Sequence, residues 1–219
     1  MVIKGCLFDL DGVIVDTASH HFAAWNKLAE ELGVSFDKRD NEQLKGVSRV
    51  DSLEFILRKG NLVLDSNTKL QLMEKKNAHY LKMAAEITPA DALPGIVDLI
   101  DELKEAGIQI GLGSSSKNAE QILSKLNLLS SFEVVVDGNH LTLSKPDPEV
   151  FLKGAQALGL RPRNCLVIED AIAGIEAAIA GGFPVIGVGD NHELNRAHAV
   201  VPNFKDLNWM GIQNLLVHK

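Results

Sequence analysis

The apolar residues of the chain fall into short continuous runs that are separated by stretches of helical periodicity. Runs of this kind, which indicate buried strands, lie at residues 2–8, 108–113, 132–136, 164–168 and 184–189. Between them, apolar residues recur at helical spacing over residues 94–106, 118–126, 148–159 and 171–182. Continuous apolar strands are typical of a parallel sheet that is covered on both faces. The pattern therefore predicts an α/β fold with a Rossmann-like, mostly parallel sheet.

Proline, glycine and capping residues indicate where two of these predicted helices begin or end. Pro94 suits the first turn of the helix over residues 94–106, and Gly107 suits its C-terminal cap. Farther along, we expect Asp147 to be the N-cap of a helix that begins with Pro148.

The interval between the first two predicted strands is too long for a single crossover. About a hundred residues separate them, where one helix would suffice, and residues 94–106 already supply it. The surplus segment has the pattern of several helices with charged faces. We therefore expect a core domain of residues 1–16 and 87–219, with a helical domain of residues 17–86 inserted after the first strand.

Residues that can carry chemistry follow several of the predicted strands. They are Asp9 and Asp11, the cluster Ser114, Ser115, Ser116, Lys117 and Asn118, then Lys145, and finally Glu169 and Asp170. Because ligands of such sheets bind at the carboxyl ends of the strands, we expect these residues to converge on one edge.

Each part of this set fits the handling of a phosphoryl group. Carboxylate oxygens such as those of Asp9, Asp170 and Glu169 are ligands that Mg²⁺ prefers. A helix N-terminus behind Ser114 offers donors to phosphoryl oxygens, and Lys145 can neutralise negative charge. One aspartate could then act as a nucleophile and the other as a general acid and base.

Four segments of the chain resemble, in order, the four motifs of the haloacid dehalogenase-like phosphotransferases. They are DLDGVIVDT, the serine after the second strand, SKPDP and IEDAIAGIEAA. The resemblance implies that Asp9 is the nucleophile that becomes an aspartyl phosphate, that Asp11 is the acid and base, and that Ser114 and Lys145 complete the catalytic set. The implied Mg²⁺ ligands are Asp9, Asp11, Glu169 and Asp170.

The inserted segment is similar to the helical cap domain of the β-phosphoglucomutase family, on the strength of NEQLKGVSRVDSL and HFAAWNKLAEELG. The likeness implies interconversion of β-D-glucose 1-phosphate and β-D-glucose 6-phosphate, with β-glucose 1,6-bisphosphate as intermediate and activator. Arg49 would clamp a second phosphate, and Trp25 would lie near the hinge. The implied substrate-binding residues are His21, Lys45, Gly46, Val47, Arg49, Ser52, Ser115, Ser116, Lys117 and Asn118.

Other interpretations fit parts of the sequence. A sugar-phosphate phosphatase of the same family would need only one phosphate site, and a receiver-type signalling domain also places acids at strand tips. Receivers, however, lack a helical insertion. Arg49 and Lys45 could lie on a solvated helix face. Lys76 could touch the sugar, but we expect it to be a surface lysine.

Composition narrows the classes of partner. A net charge of -7 argues against a nucleic-acid partner, and no apolar run approaches the length of a membrane span or a signal peptide. Cys6 and Cys165 lie in apolar runs and should be buried hydrophobes. We expect a cytoplasmic monomer that acts on a small-molecule sugar phosphate.

Overall fold

Over residues 2–205 and 207–217, which the computed structural model describes, six strands form one parallel sheet. The strands are β1 Gly5–Phe8, β2 Gln109–Gly113, β3 Val134–Val136, β4 Cys165–Glu169, β5 Val185–Val188 and β6 Ala199–Val201. They lie in the order β3-β2-β1-β4-β5-β6, with every pairing parallel. The predicted fold class is therefore confirmed.

Strand β1 occupies the middle of the sheet and sets the position of its neighbours. Phe8 pairs with Leu112 of β2 on one side and with Ile168 of β4 on the other. The three strands therefore end at the same level, and the residues that follow them meet at one edge of the sheet. The backbone N–H of Asp9 still donates to the carbonyl of Ile168, at 3.0 Å, which holds the aspartate at that edge.

Helices cover both faces of the sheet and also form a separate group. In chain order they are α1 Ala18–Glu31, α2 Lys38–Glu42, α3 Arg49–Lys59, α4 Ser66–Ala84, α5 Ile96–Glu105, α6 Ala119–Lys125, α7 Glu149–Ala157, α8 Ile172–Ala180 and α9 Trp209–Val217. Apolar residues of α5, α6 and α9 pack on the face of the sheet that carries Phe8. Those of α7 and α8 pack on the face that carries Leu7. Alternation along β1 thus supplies two cores.

The helices α1 to α4 lie in the chain between β1 and the crossover helix α5. They enclose a third apolar cluster that includes Trp25, Leu28, Ile56 and Leu57. This cluster is distinct from the two cores on the sheet, which supports the proposed division into a core domain and an inserted helical domain at residues 17–86.

Several boundaries differ from those predicted. Helix α5 begins at Ile96, because Gly95 takes a left-handed conformation and acts as N-cap, so Pro94 lies before the helix. Helix α7 begins at Glu149 with Pro148 as its N-cap, while the Asp147 carboxylate accepts the backbone N–H of Glu149 at 2.9 Å. The predicted role of Asp147 as N-cap is therefore shifted by one residue.

The outer parts of the sheet were harder to predict. The first strand begins at Gly5 and the third at Val134, later than their apolar runs, and β6 and α9 were not predicted. The burial of both cysteines, neither of them in a disulfide, is confirmed. None of the described helices combines the length and apolar character that crossing a membrane requires.

Candidate active site

A cavity of about 670 Å³ lies at the carboxyl end of the sheet, between the strand tips and the helices α1 to α4. Most of the predicted site residues line it: Asp9, Asp11, His21, Lys45, Gly46, Val47, Arg49, Ser114, Ser115, Ser116, Lys117, Asn118 and Asp170. The strand-end residues therefore converge on one cavity, as the sequence predicted. Lys145, Glu169 and Ser52 are buried and do not line the cavity.

Lys145 is the buried cation of the site. Its Nζ lies 2.5 Å from Asp9 Oδ1 and 2.8 Å from Glu169 Oε2, with the side chains of all three nearly inaccessible to solvent. Burial alone would lower the pKa of Lys145, but the charges of Asp9 and Glu169 raise it above its ordinary value. Lys145 is therefore held as a cation between the Asp9 and Glu169 carboxylates.

Three carboxylates crowd together at the same point. Asp9, Glu169 and Asp170 each offer one oxygen, and these oxygens lie within 4.8 Å of one another. Burial raises the pKa of Glu169 above its ordinary value, and burial together with the Glu169 charge raises the pKa of Asp170. A hard divalent cation would relieve this crowding and takes ligands of this kind, so the donor set fits such an ion.

Glu169 also organises the loop that follows β4. While its Oε2 faces Lys145, its Oε1 accepts the backbone N–H groups of Asp170 and Ala171, at 3.1 and 3.0 Å. Glu169 therefore fixes Lys145 and Asp170 relative to each other. This explains why a carboxylate is kept at a fully buried position.

The turn after β1 needs a glycine for two reasons. Gly12 has a φ of +81°, and a Cβ atom there would lie 2.1 Å from Oδ2 of Asp170. A side chain would therefore be strained in itself and would push Asp170 out of the acidic cluster. Gly12 is what allows the two acidic segments to meet.

Asp11 lies outside the three-carboxylate cluster, although it was predicted as a metal ligand. Its side chain accepts a hydrogen bond from the Thr17 hydroxyl, and its Oδ1 lies 3.8 Å from His21 Nε2. Burial and the charge of Asp9 raise the pKa of Asp11 to about 6. A carboxyl group with this pKa can both give and take a proton near neutral pH, which is the property an acid and base needs.

The loop after β2 connects the sheet to the helices above it. The Ser114 hydroxyl accepts the backbone N–H of Ser116 at 3.1 Å, and the Ser116 hydroxyl accepts that of Asn118 at 3.2 Å. The Ser115 hydroxyl donates to the carbonyl of Gly46 at 2.7 Å. These hydrogen bonds brace the loop and join it to the segment ahead of α3.

The side chain of Ser52 lies inside α3. Its hydroxyl donates to the Ser48 carbonyl one turn earlier, at 2.8 Å, and Ser52 does not line the cavity. The structure therefore does not bring Ser52 to the site with the other predicted substrate-binding residues. Arg49, at the start of the same helix, does line the cavity.

Comparison with known proteins identifies the family. The model of the haloacid dehalogenase-like hydrolases matches residues 3–182. The chain belongs to the haloacid dehalogenase-like hydrolase family. The resemblance carried by the four sequence motifs is thereby confirmed.

Relatives within this family include sugar-phosphate enzymes of two kinds. The chain is 44% identical over 207 residues to a beta-phosphoglucomutase of Bacillus subtilis, covering 94% of this chain and 92% of the relative. It is 32% identical to a fructose-1-phosphate phosphatase of Escherichia coli, covering 84% of this chain and 95% of the relative. A crystal structure of beta-phosphoglucomutase from Clostridium difficile superimposes with a TM-score of 0.96 at 41% identity, covering 99% of this chain and 98% of the other.

The haloacid dehalogenase-like site contains a lysine that sequence analysis placed wrongly. Lys76 is not a surface lysine, because it is only 3% exposed. Its Nζ lies 2.9 Å from His21 Nδ1 and 4.7 Å from the centre of the Trp25 ring. Burial and the charge of Arg49 lower its pKa to about 7.

A periodic signal in α4 could have revealed this position. Lys76, Tyr80 and Ala84 are the buried residues of α4 and recur every four residues, which places them on one face of the helix. The apolar character of Tyr80 and Ala84 marks that face. Asn77, the next residue along, also lines the cavity and carried no signal that we used.

Proposed function

We propose that the chain is a β-phosphoglucomutase that interconverts β-D-glucose 1-phosphate and β-D-glucose 6-phosphate. The observation that carries the proposal is that one cavity is lined both by strand-end residues of the core and by Arg49 of the inserted helices, so it offers groups for two phosphates. Asp9 and Ser114 follow β1 and β2 at the sheet edge, Lys117 lies in the loop after β2, and Arg49 begins α3 in the inserted helices. A mutase needs both groups of residues, since its bisphosphate intermediate has one phosphate at each end. The beta-phosphoglucomutase relatives support this assignment.

In the proposed reaction, an Asp9 carboxylate oxygen attacks the phosphorus of the bound phosphate and the bond from phosphorus to the sugar oxygen breaks. Asp11 gives its proton to the departing sugar oxygen. In the complementary step Asp11 takes a proton from the 6-hydroxyl of β-glucose 1-phosphate, whose oxygen attacks the phosphorus of phospho-Asp9, so that free Asp9 is regenerated and the bisphosphate forms. Lys145 stabilises the negative charge between nucleophile and phosphoryl oxygens.

The acidic cluster gives a place for the proposed metal. Asp9, Glu169 and Asp170 would hold Mg²⁺, which when bound neutralises charge on the phosphoryl group. The pKa values of Glu169 and Asp170 are both raised by burial and by neighbouring carboxylates, so a divalent cation would stabilise the ionised forms that act as ligands. We include Mg²⁺ dependence in the proposal on this ground.

The inserted helices would act as a cap that closes over the site. Ser115 and Gly46 join the core to the segment ahead of α3, and Ser144 donates to Asp51 of α3 at 2.6 Å. Residues 17–86 would carry this motion, excluding water from phospho-Asp9 while the bisphosphate turns over. Exclusion of water is what distinguishes a mutase from a phosphatase. We further propose that the protein works as a cytoplasmic monomer on this small-molecule substrate.

A single assay separates the mutase from the alternative phosphatase, which the fructose-1-phosphate phosphatase relative favours. The protein is supplied with Mg²⁺, β-glucose 1-phosphate and a trace of β-glucose 1,6-bisphosphate, while glucose 6-phosphate and inorganic phosphate are followed together. Formation of glucose 6-phosphate with little phosphate released is expected. Release of phosphate without isomerisation would make the protein a phosphatase.

Two variants complete the assay. Asp9→Asn should abolish both products, because an amide cannot form the aspartyl phosphate. The exposed Asp101 of α5 supplies the matched control, and Asp101→Asn should behave like the wild type. Turnover by Asp9→Asn close to that of the control would show that Asp9 is not the nucleophile.

A further inference from the structure

Asn77 joins two donors that belong to different parts of the fold. Its Oδ1 accepts a hydrogen bond from Arg49 Nη2 at 2.9 Å and another from Asn118 Nδ2 at 2.9 Å. Asn77 lies on α4, Arg49 begins α3, and Asn118 precedes α6 on the sheet side. One neutral oxygen therefore brings a guanidinium from the inserted helices and an amide from the core to a single point in the cavity.

Arg49 is a partly buried cation that has no anionic partner among the described residues. Its guanidinium is partly buried, and burial lowers its pKa. Over residues 2–205 and 207–217, no carboxylate lies within ion-pair distance of Arg49, whereas Lys45, Lys59, Lys69 and Lys75 of the inserted helices each pair with an acid. A guanidinium in a cavity with only a neutral acceptor is incompletely satisfied.

We propose that Asn77 is a positioning residue that holds Arg49 and Asn118 together, in the arrangement a ligand phosphate requires, while the second-phosphate site is free. This inference rests on the proposed function, since it concerns the phosphate that is not being transferred. The Asn77 oxygen takes the place of a phosphoryl oxygen. When the phosphate enters, its charged oxygens accept from Arg49 and Asn118 and displace this neutral acceptor.

The physical benefit of the arrangement is preorganisation. A free arginine side chain loses rotational freedom when it clamps a ligand, and an ordered one has lost it already. A neutral amide is suited to the role, because it orders the guanidinium and yet competes weakly with a doubly charged phosphate. A carboxylate at residue 77 would instead form a charge-assisted pair with Arg49 and exclude the ligand.

The test measures equilibrium binding, so it does not depend on turnover. β-Glucose 1,6-bisphosphate and glucose 6-phosphate are titrated calorimetrically, with Mg²⁺, into the full-length Asp9→Asn protein and into the same protein carrying Asn77→Ala or Asn77→Asp. We expect Asn77→Ala to weaken bisphosphate binding about tenfold, through lost ordering of Arg49, and Asn77→Asp to weaken it further. The exposed Asn67 of the same helix provides controls, and Asn67→Ala and Asn67→Asp should leave the dissociation constant unchanged.

A double-mutant cycle shows whether Asn77 acts through Arg49. In an Arg49→Ala background, Asn77→Ala should weaken bisphosphate binding less than twofold, because the group it positions is gone. A merely structural role for Asn77 would give the same loss in both backgrounds, and that result would overturn the proposal. Unchanged or tighter binding by Asn77→Ala would overturn it as well.

The two proposals can fail separately. A wild-type protein that does not isomerise β-glucose 1-phosphate contradicts the mutase assignment, yet the binding cycle still decides the role of Asn77. Conversely, if the Asp9→Asn protein binds the bisphosphate no more tightly than glucose 6-phosphate, no second-phosphate site exists for Asn77 to organise, and the inference is wrong even where the wild type isomerises.

Discussion

Lys76 Nζ and His21 Nδ1 lie 2.9 Å apart in the lining of the cavity, so a buried lysine and a partly exposed histidine that could both be cations lie side by side. Burial, with the Lys76 charge, lowers the pKa of His21 well below its usual value, and burial with the Arg49 charge lowers that of Lys76 to about 7. His21 is therefore neutral, and Lys76 changes its charge near neutral pH. His21 therefore lies between Lys76 of α4 and Asp11 at the sheet edge, since its other ring nitrogen is 3.8 Å from Asp11 Oδ1.

The burial of Lys76 predicts a specific dependence of stability on pH. Between its folded pKa of about 7 and its unfolded pKa of about 10.4, the unfolded chain binds more protons at this group, so stability rises with pH. From pH 7 to pH 9, wild-type stability should increase relative to Lys76→Met by about 2 to 3 kcal/mol. Urea unfolding of both proteins at the two pH values measures this difference.

Lys75 on the same helix supplies the control for that experiment. It is half exposed and pairs with Glu31, so Lys75→Met should leave the pH dependence as it is in the wild type. A wild type whose stability relative to Lys76→Met does not change between pH 7 and pH 9 would show that Lys76 keeps an ordinary pKa.

The crowding of Asp9, Glu169 and Asp170 predicts two opposite effects of Asp170→Asn. In chelator at neutral pH the variant should be more stable than the wild type, because the buried Asp170 carboxyl must either hold a proton or carry a charge beside Asp9 and Glu169, and an amide needs to do neither. Mg²⁺ at a hundred times its dissociation constant should stabilise the wild type by about 2.7 kcal/mol, and the variant far less. Thermal unfolding with and without Mg²⁺ tests both, with Asp101→Asn as the control that keeps the response. An equal Mg²⁺ response in Asp170→Asn would place the metal elsewhere.

The proposed role of Arg49 predicts that its removal lowers the kcat/KM of two reactions unequally. Arg49→Ala should reduce the kcat/KM for isomerisation much more than that for hydrolysis of p-nitrophenyl phosphate, because the ester has one phosphate and no second group for Arg49 to hold. The ratio of the two losses should be about a hundredfold, the scale of a lost charge-assisted contact. Arg58→Ala, an exposed change on the same helix, is the control. Equal losses in both reactions would mean that Arg49 is no second-phosphate clamp.

Much of the fold followed from patterns that burial imposes. β1 and β4 are fully buried, so their apolar runs were unmistakable, and the acids that end them stood out against those runs. β6 has only three residues, two of them half buried, and such a strand leaves too short a run to recognise. The start of α5 was misjudged because Gly95 takes a left-handed conformation and packs against the Phe204 backbone, where a Cβ atom would lie 2.5 Å from the Phe204 carbonyl oxygen, and this tertiary contact leaves no local pattern.

Whether a site residue could be predicted depended on the kind of element that carries it. Acids and serines at strand ends were predictable, since strand topology alone brings Asp9 and Ser114 to one edge. Residues on helices were not, because whether Lys76 faces solvent or the cavity depends on how α4 packs. The contact of Asn77 with Asn118 joins residues 41 positions apart, and no local pattern records it.

The close packing of Gly46 against the core predicts that contact between the inserted helices and the core is needed for isomerisation. Its φ is +72°, and a Cβ atom there would lie 3.2 Å from the Cβ of Ala171 and 3.7 Å from the Cδ of Lys145. Gly33, with a φ of +69°, has nothing within 4 Å of the corresponding point. The two glycines therefore share a backbone conformation and differ in what a methyl group would meet.

Gly46→Ala and Gly33→Ala should each lose about 1 kcal/mol of stability, since an L residue is strained in this conformation. Only Gly46→Ala should also slow isomerisation, by about tenfold to a hundredfold, because the added methyl keeps the inserted helices from seating on Ala171 and misaligns the site. It should release more inorganic phosphate for each glucose 6-phosphate formed, as water reaches phospho-Asp9. If both variants give the same ratio of the two products, close seating at Gly46 is not what protects the phosphoenzyme from water.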